Sequence, residues 1–391
     1  MTEIELQTPL RTLTLKRFPI RPADRLRAWD AADELLINHL FEQKDQLNGK
    51  SSVLVFDDQF GAITSYLYQA MIVNNEGISG ERTSIDVMTD SLVSQHAIVQ
   101  NIKLNGFDES HINFVENTAI PEKHYDLIVY KLPRNHGYFA DVMQRLRCNM
   151  SENTTILGGV MVKYLPMTVL TTLGQTVGET TTSLATKKAR LIFTRYDQSL
   201  TPGNLYPTTY SIEEIDVDLV NHSNVFSRES LDIGTRLLLA VMPETDDDLT
   251  IVDLACGNGV IGISAAQLNP NADLVFCDES NMAIESAKAN IKRHFPERNA
   301  EFYQADCLTG IAPNSVDLVL CNPPFHQQNA VSEHVGWQMF KESLQCLKSG
   351  GELWIVGNRH LAYHIKLKKL FGNATLVDSS NKFVVIKSVK R

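Results

Sequence analysis

Short, nearly continuous apolar runs alternate with stretches of helical period along the second half of the chain. The runs are Thr250–Leu254, Leu274–Cys277, Ala300–Gln304, Val316–Cys321, Glu352–Val356 and Phe383–Ser388. Between them, Asn281–His294 and Trp337–Leu347 carry the helical pattern, and the second is expected to stop at Gly350-Gly351, where glycine permits a left-handed turn. Strands apolar on both faces, separated by helices, predict an open α/β sheet.

The first half has the same order. Val53-Leu54-Val55-Phe56-Asp57-Asp58 ending in Gly61 parallels Ile251-Val252-Asp253-Leu254 ending in Gly259. Asp90 followed by Asn101-Ile102-Lys103 parallels Asp278 followed by Asn290-Ile291-Lys292. Tyr125–Val129 parallels Val316–Leu320, and Gly158-Gly159 parallels Gly350-Gly351. A nearly fixed offset of about half the chain points to tandem copies of one fold. Pro202-Gly203-Asn204 and Pro207 break both periodicities, so the expected organisation is a domain at 1–198, a linker at 199–209 and a domain at 210–391. A length of 391 residues agrees with two cores rather than one.

The copies differ where a ligand would bind. Asp253-Leu254-Ala255-Cys256-Gly257-Asn258-Gly259-Val260-Ile261-Gly262 follows an apolar strand and opens a helix, whereas the first copy has Asp57-Asp58-Gln59-Phe60-Gly61. A strand-to-helix turn brings its backbone against a ligand only where side chains are absent and positive φ is allowed. Only the second copy is therefore expected to hold a nucleoside cofactor. Its glycine triplet also fits a dinucleotide fingerprint, with Asp278 at the ribose-binding distance, or a tight turn without a ligand. Asp253 four residues before Gly257 fits instead the acidic glycine loop of S-adenosylmethionine enzymes.

Asn322-Pro323-Pro324-Phe325 follows the strand Val316–Cys321, at the carboxyl end where open sheets bind ligands. A plain exit turn would also use two prolines. The chemical reading explains all four residues. An exocyclic base amine is planar and a poor nucleophile. An asparagine oxygen and the rigid Pro323 carbonyl can each accept one of its hydrogens and favour a pyramidal nitrogen, while Phe325 stacks on the base. The base must be flipped or unpaired.

At these residues the chain resembles the domain-duplicated rRNA (guanine-N2) methyltransferases, and most closely the 23S rRNA (guanine-1835-N2) methyltransferase family. The likeness runs over Leu13–Phe18 with Ala28–Glu34, Lys187–Ile192, Asn224–Ser227 with Leu231–Gly234, Val252–Leu254 with Cys256–Gly262, Asp278–Ser280, Cys321–Gln328, and Ile355–Leu361 with Lys382–Val385. It implies two Rossmann-like domains, the first degenerate and helping to hold RNA, with S-adenosylmethionine as methyl donor and N2-methylguanine as product. By position, Asp253, Gly257 and Gly259 would shape the methionine side of the pocket. Asp278 would hold the ribose, Asp306 and Cys307 would sit at the adenine, and Phe226, Asp232 and Gly234 would close the pocket. His326 and Gln327 would read guanine edges. The small-subunit (16S) enzymes share the duplication and the Asn-Pro-Pro-Phe motif. A protein-glutamine methyltransferase typically has Tyr as the fourth residue of such a motif. An NAD oxidoreductase leaves Asn322–Phe325 unexplained, and a non-catalytic RNA-binding module needs no cofactor loop.

In the first copy Lys131-Leu132-Pro133-Arg134 occupies the place of the Asn-Pro-Pro-Phe motif. Lys131 and Arg134 are expected to contact RNA, on a face extended by Arg11–Arg27, Lys187, Lys188 and Arg190. The 36 basic and 46 acidic residues leave a net charge of −10, which argues against an unselective nucleic-acid coat but not against a local basic face. Another basic stretch runs from Arg359 to Arg391, with Asp378 as its one acidic residue. Six cysteines without a C-x-x-C pair read as reduced thiols with no metal site. No apolar run is long enough to cross a bilayer and no secretory core opens the chain, so a cytoplasmic monomer is expected.

Overall fold

The computed structural model describes residues 3–19, 26–44, 52–73, 84–324 and 330–391. They form two compact units, Met1–Leu205 and Tyr206–Arg391. The first opens with an antiparallel hairpin of β1 (Glu5–Gln7) and β2 (Thr12–Thr14). Seven strands follow: β3 (Val53–Phe56), β4 (Ile85–Met88), β5 (Ile112–Phe114), β6 (Leu127–Lys131), β7 (Thr155–Met161), β8 (Thr180–Thr182) and β9 (Ala189–Thr194). They make one sheet in the order β5-β4-β3-β6-β7-β9-β8.

The second unit repeats this plan. A hairpin of β10 (Thr208–Ile212) and β11 (Val217–Asn221) precedes β12 (Thr250–Leu254), β13 (Asp273–Asp278), β14 (Ala300–Gln304), β15 (Val316–Cys321), β16 (Leu347–Asn358), β17 (Thr375–Ser379) and β18 (Phe383–Val389). Their order, β14-β13-β12-β15-β16-β18-β17, is the same permutation, and in each sheet only the pairings of the last two strands in that order are antiparallel. Two mixed sheets of one topology are the tandem Rossmann-like α/β domains that the sequence repeat implies. Strand β10 begins at Thr208, inside the stretch expected as linker.

The repeat extends to single hydrogen bonds. Buried Asn101 clamps the backbone of Lys16 with both amide atoms and donates to the Phe60 carbonyl; buried Asn290 does the same to Val220 and Asn258. Each clamp ties a hairpin's second strand, or the residues just after it, to the loop after the first strand of a sheet. In the second sheet the strand period of two sends Ile251, Leu274, Phe276, Leu318, Leu320 and Val385 to one apolar layer and Val252, Val275, Cys277, Val319, Leu353 and Ile386 to the other. Burial on both faces is why these strands read as unbroken apolar runs.

Two expectations are corrected. The helix Ala330–Cys346 ends before Gly350, because Leu347 already pairs with Val316 as the start of β16. Gly158 and Gly159 lie inside β7, opposite Tyr130 and Lys131, so the sheet register matches them to Ile355 and Val356 rather than to Gly350-Gly351. They are small for packing: an added Cβ would collide with the Tyr130 ring at Gly158 and with Leu36 at Gly159. Among the described residues no helix is long and apolar enough to cross a membrane, and no group of three or more His, Cys, Asp or Glu side chains is placed to hold a metal.

Candidate active site

The loop between β12 and the helix Val260–Leu268 has three left-handed residues, Ala255 at φ 59°, Gly257 at 55° and Gly259 at 82°. The glycines do different work. A Cβ on Gly259 would stand 3.0 Å from that of Ala287, and one on Gly262 would collide with the Phe276 ring. Gly259 is kept small by the helix Asn281–His294 packed against the loop, and Gly262 by its own helix packing on β13. A Cβ on Gly257 would meet nothing within 4 Å, so this is the open side of the loop.

Asp253 is buried at the end of β12. Its Oδ2 accepts the Gly262 N–H at 2.8 Å, satisfying a helix-terminal donor, while its Oδ1 has no partner. Burial drives its pKa well above the ordinary carboxylate range; the Gly262 N–H opposes this and the nearby Asp278 reinforces it. A buried carboxylate with one vacant acceptor atom suits a cationic group. Asp278, ending β13, accepts from Gly257 N at 3.0 Å and Ser280 N at 3.0 Å. Asp306 and Cys307 follow β14, with Cys307 buried at φ 55° and the next N–H held by Glu342 at 2.8 Å. The carboxyl ends of three adjacent strands thus bring Asp253, Gly257, Asp278, Asp306 and Cys307 to one edge of the sheet.

Asn322 follows the fourth adjacent strand, β15. Its Nδ2 donates to Thr235 Oγ1 at 2.8 Å and to Asp232 Oδ2 at 3.4 Å, and its Oδ1 is buried without a partner. The reverse orientation of the amide would set its oxygen against the Asp232 carboxylate, so the surroundings select the acceptor-out arrangement. Asp232 is itself fixed as the N-cap of the helix Ile233–Leu239, accepting from Thr235 N at 3.0 Å. Thr235 was not singled out from the sequence; its signal is the Asp-x-x-Thr cap spacing, and the contact to Asn322 lies 87 residues away.

Gly234 is buried where a Cβ would stand 2.9 Å from Asp232 Oδ2 and 3.0 Å from the Phe383 ring, so it is kept small by packing beside the carboxylate that holds Asn322. Phe226 is exposed, as is Ile233. Pro323 is buried and Pro324 exposed; Phe325, His326 and Gln327 lie outside the described residues. A cleft of about 410 Å³ opens instead at the amino ends of the strands, beside Thr250, Asp273, Ala300 and Val316, away from these groups.

The corresponding edge of the first unit is built differently. Asp57 at φ 62° stands where Ala255 does, and burial with repulsion from Asp90 and Asp58 pushes its pKa up to about 7. Lys131 does not face outward as expected: its Nζ is paired with Asp30 at 2.9 Å and Asp33 at 2.8 Å, at the start of the helix Ala31–Glu42. Asp33 is buried, and removing Lys131 would strand its charge, so the lysine is held as a structural counter-ion. Arg27 is likewise paired with Glu3 and Glu34, and Lys187 with Glu34. Arg134 is exposed, its guanidinium over the Tyr164 ring with Lys163 beside the same ring.

A doubly wound sheet with an acidic glycine loop, and an Asn-Pro-Pro turn whose amide oxygen is vacant, defines the second unit as an S-adenosylmethionine-dependent methyltransferase. Residues 216–387 match the family described as "Methyltransferase small domain" and residues 3–198 that described as "RLMG N-terminal domain". The chain is 40% identical to the ribosomal RNA large subunit methyltransferase G of Colwellia psychrerythraea, covering 97% of this chain and 98% of that one. It is 41% identical to that of Photobacterium profundum, again covering 97% and 98%. It belongs to this family. A solved T. thermophilus 16S rRNA N2 methyltransferase, in complex with AdoMet and guanosine, shares the fold at a TM-score of 0.72, 17% identity and coverage of 99% and 97%.

Proposed function

We propose that the second unit methylates the exocyclic N2 amine of a guanine in large-subunit (23S) ribosomal RNA, giving N2-methylguanine. The observation that carries this reading is the vacant, buried Oδ1 of Asn322, aimed by a side-chain amide whose NH2 is already engaged by Thr235 and Asp232.

Bound S-adenosylmethionine supplies an electrophilic sulfonium methyl. The residues around it fit: Gly257 leaves room at the loop, Asp253 Oδ1 is a vacant acceptor for a cation, and Asp278 and Asp306 supply acceptors for hydroxyl and amino groups. Asn322 Oδ1 accepts one amine hydrogen and the Pro323 carbonyl, stiffened by the proline after it, accepts the other. Two fixed acceptors draw the nitrogen toward a pyramid and free its lone pair. The sulfonium would give up its methyl and keep the bonding electron pair as a neutral thioether, and the methylated cationic amine would lose its proton to water. No strong base is needed, because that cation is acidic. A preorganised acceptor that gains strength as positive charge develops is worth most in the transition state.

A guanine amine is paired inside a helix, so the target base enters flipped or from an unpaired segment. His326 and Gln327 would meet its edges, and exposed Phe226 would cover the cofactor. All the catalytic and cofactor-binding residues belong to one unit, so a monomer is sufficient for the reaction. The test is transfer of label from tritiated S-adenosylmethionine into naked rRNA and into assembled particles, with digestion to nucleosides. Label in N2-methylguanosine of the large-subunit RNA is the expected result. Label in small-subunit RNA, in protein, or at another atom of the base overturns the reading.

A further inference from the structure

The catalytic unit has a basic rim beside Asn322 that the reaction itself does not use. Strand β16 runs parallel to β15, and β18 runs antiparallel to β16 with Phe383 opposite Asn358. Arg359, which follows β16, and Lys382, which precedes β18, therefore meet at the carboxyl end of the sheet, where Asn322 also lies. Arg359 N donates to the Lys382 carbonyl at 2.8 Å, and the guanidinium donates to the Ser380 carbonyl at 2.7 Å, which fixes its direction. His360, in the turn Arg359–Leu361, and His364, in the first turn of the helix Tyr363–Phe371, stand at the same end. All four side chains are exposed.

Two features separate this rim from an ordinary charged surface. None of the four makes an ion pair among the described residues, whereas the first-unit cations Arg27, Lys131 and Lys187 are consumed by carboxylates. The one acid of the stretch, Asp378, accepts the Ser379 N–H at 2.7 Å. The rim also joins the site through one packed layer: Phe383, next to Lys382, lies against Gly234, and the same helix turn carries Asp232 and Thr235, which hold Asn322.

We infer that Arg359, His360, His364 and Lys382 form the docking surface for the phosphates that flank the target guanine. This rests on the reading of the substrate as RNA. A base delivered to Asn322 brings its neighbouring phosphates to the rim of the same sheet end, and unpaired cations there hold the strand in register without reading its sequence. A chain of net charge −10 concentrates its attraction for a polyanion at such a place.

The test is steady-state methylation of naked 23S rRNA across a salt series by the full chain carrying Arg359→Gln with Lys382→Gln. The expected result is a rise of about tenfold in the RNA KM and a fall of about 0.7 in the log–log salt slope for each cation removed. Affinity for S-adenosylmethionine, read by calorimetry, stays within twofold. Because Arg359 also braces the Ser380 loop, Lys382→Gln with His360→Gln is measured alongside and should show the effect for one permanent cation. An RNA KM and salt slope unchanged in both variants overturn the inference, as does a defect seen only on assembled particles, which would mean a protein partner. If the unsubstituted enzyme labels no RNA, it is the substrate reading that falls.

Discussion

Replacing Thr235 by Val removes one atom's function and little else. The side chain keeps its β-branched shape, the backbone N–H still reaches Asp232, and the helix Ile233–Leu239 keeps its N-cap. What is lost is the hydroxyl that accepts from Asn322 Nδ2 at 2.8 Å, leaving the amide only the longer contact to Asp232 at 3.4 Å. A part-buried amide hydrogen then lacks a full partner, which costs about 1–3 kcal/mol. The amide is also free to rotate Oδ1 away from the amine. Because that acceptor matters most as the nitrogen pyramidalises, the loss falls on kcat, and 1–3 kcal/mol corresponds to roughly a 5- to 150-fold drop. The assay is tritium transfer at saturating S-adenosylmethionine over a range of RNA concentrations, with cofactor affinity measured separately by calorimetry. Thr235→Ser restores the hydroxyl and should recover most of kcat. An unchanged kcat in Thr235→Val, or a cofactor affinity that falls in step with kcat, would refute the proposed positioning.

Asn322→Ala should fold, retain cofactor affinity and lose turnover by at least two orders of magnitude, read by the same pair of measurements. Gly257→Val places bulk on the open side of the loop, so cofactor binding should vanish while the melting temperature falls only by the few degrees that a left-handed valine costs; Gly262→Ala should instead lower the melting temperature strongly by overpacking against Phe276. Lys131→Met should destabilise the first unit by about 3–5 kcal/mol in urea denaturation at neutral pH by leaving Asp33 buried and unpaired, without altering the salt slope of RNA binding. Asp57 has a folded-state pKa raised to about 7 from 3.8, so the native state holds the proton more tightly and stability from this group is lost as pH rises between those values. Asp57→Asn, which also suits a left-handed φ, should therefore raise the melting temperature by several degrees at pH 8 and by little at pH 4.

The strands and their order were legible because burial on both faces writes each strand as an apolar run, and because the chain states the plan twice. The glycine loop and the Asn-Pro-Pro turn were legible because each is a local sequence with a backbone reason behind it. Lys131 shows where that legibility stops. Its charge and its place in the repeat were visible, but its partners lie about a hundred residues earlier, at the N-terminus of a helix, and only the fold brings Asp30 and Asp33 to it. Thr235 was hidden for the same reason. The pairing of Gly158-Gly159 with Gly350-Gly351 failed because equal spacing in sequence is not equal register in a sheet; Gly158 is small on account of Tyr130 beside it, and nothing in the second copy makes that demand.

The two copies separate what the fold requires from what the ligand requires. In both, an aspartate at the start of a central strand accepts the N–H that opens the neighbouring strand: Asp126 from Ser52 and Asp317 from Thr250. In both, a buried asparagine clamps the hairpin end to the loop. The helix after the first strand of each sheet also needs an acceptor for its terminal N–H groups, and here the solutions part. In the first unit Asp58 receives Gly61 N and Ala62 N on one oxygen and Thr64 N and Oγ1 on the other, so both oxygens are occupied. In the second, Asp253 approaches from the strand, satisfies Gly262 N with one oxygen and keeps the other vacant. Capping needs the acid in either place, but only the strand position leaves a buried acceptor for a cation at the mouth of a glycine loop. A first unit without a cofactor site follows from the relocated carboxylate as much as from the missing glycines, and glycines restored at Gln59 and Thr64 alone should not give cofactor binding while Val55 stands where Asp253 does.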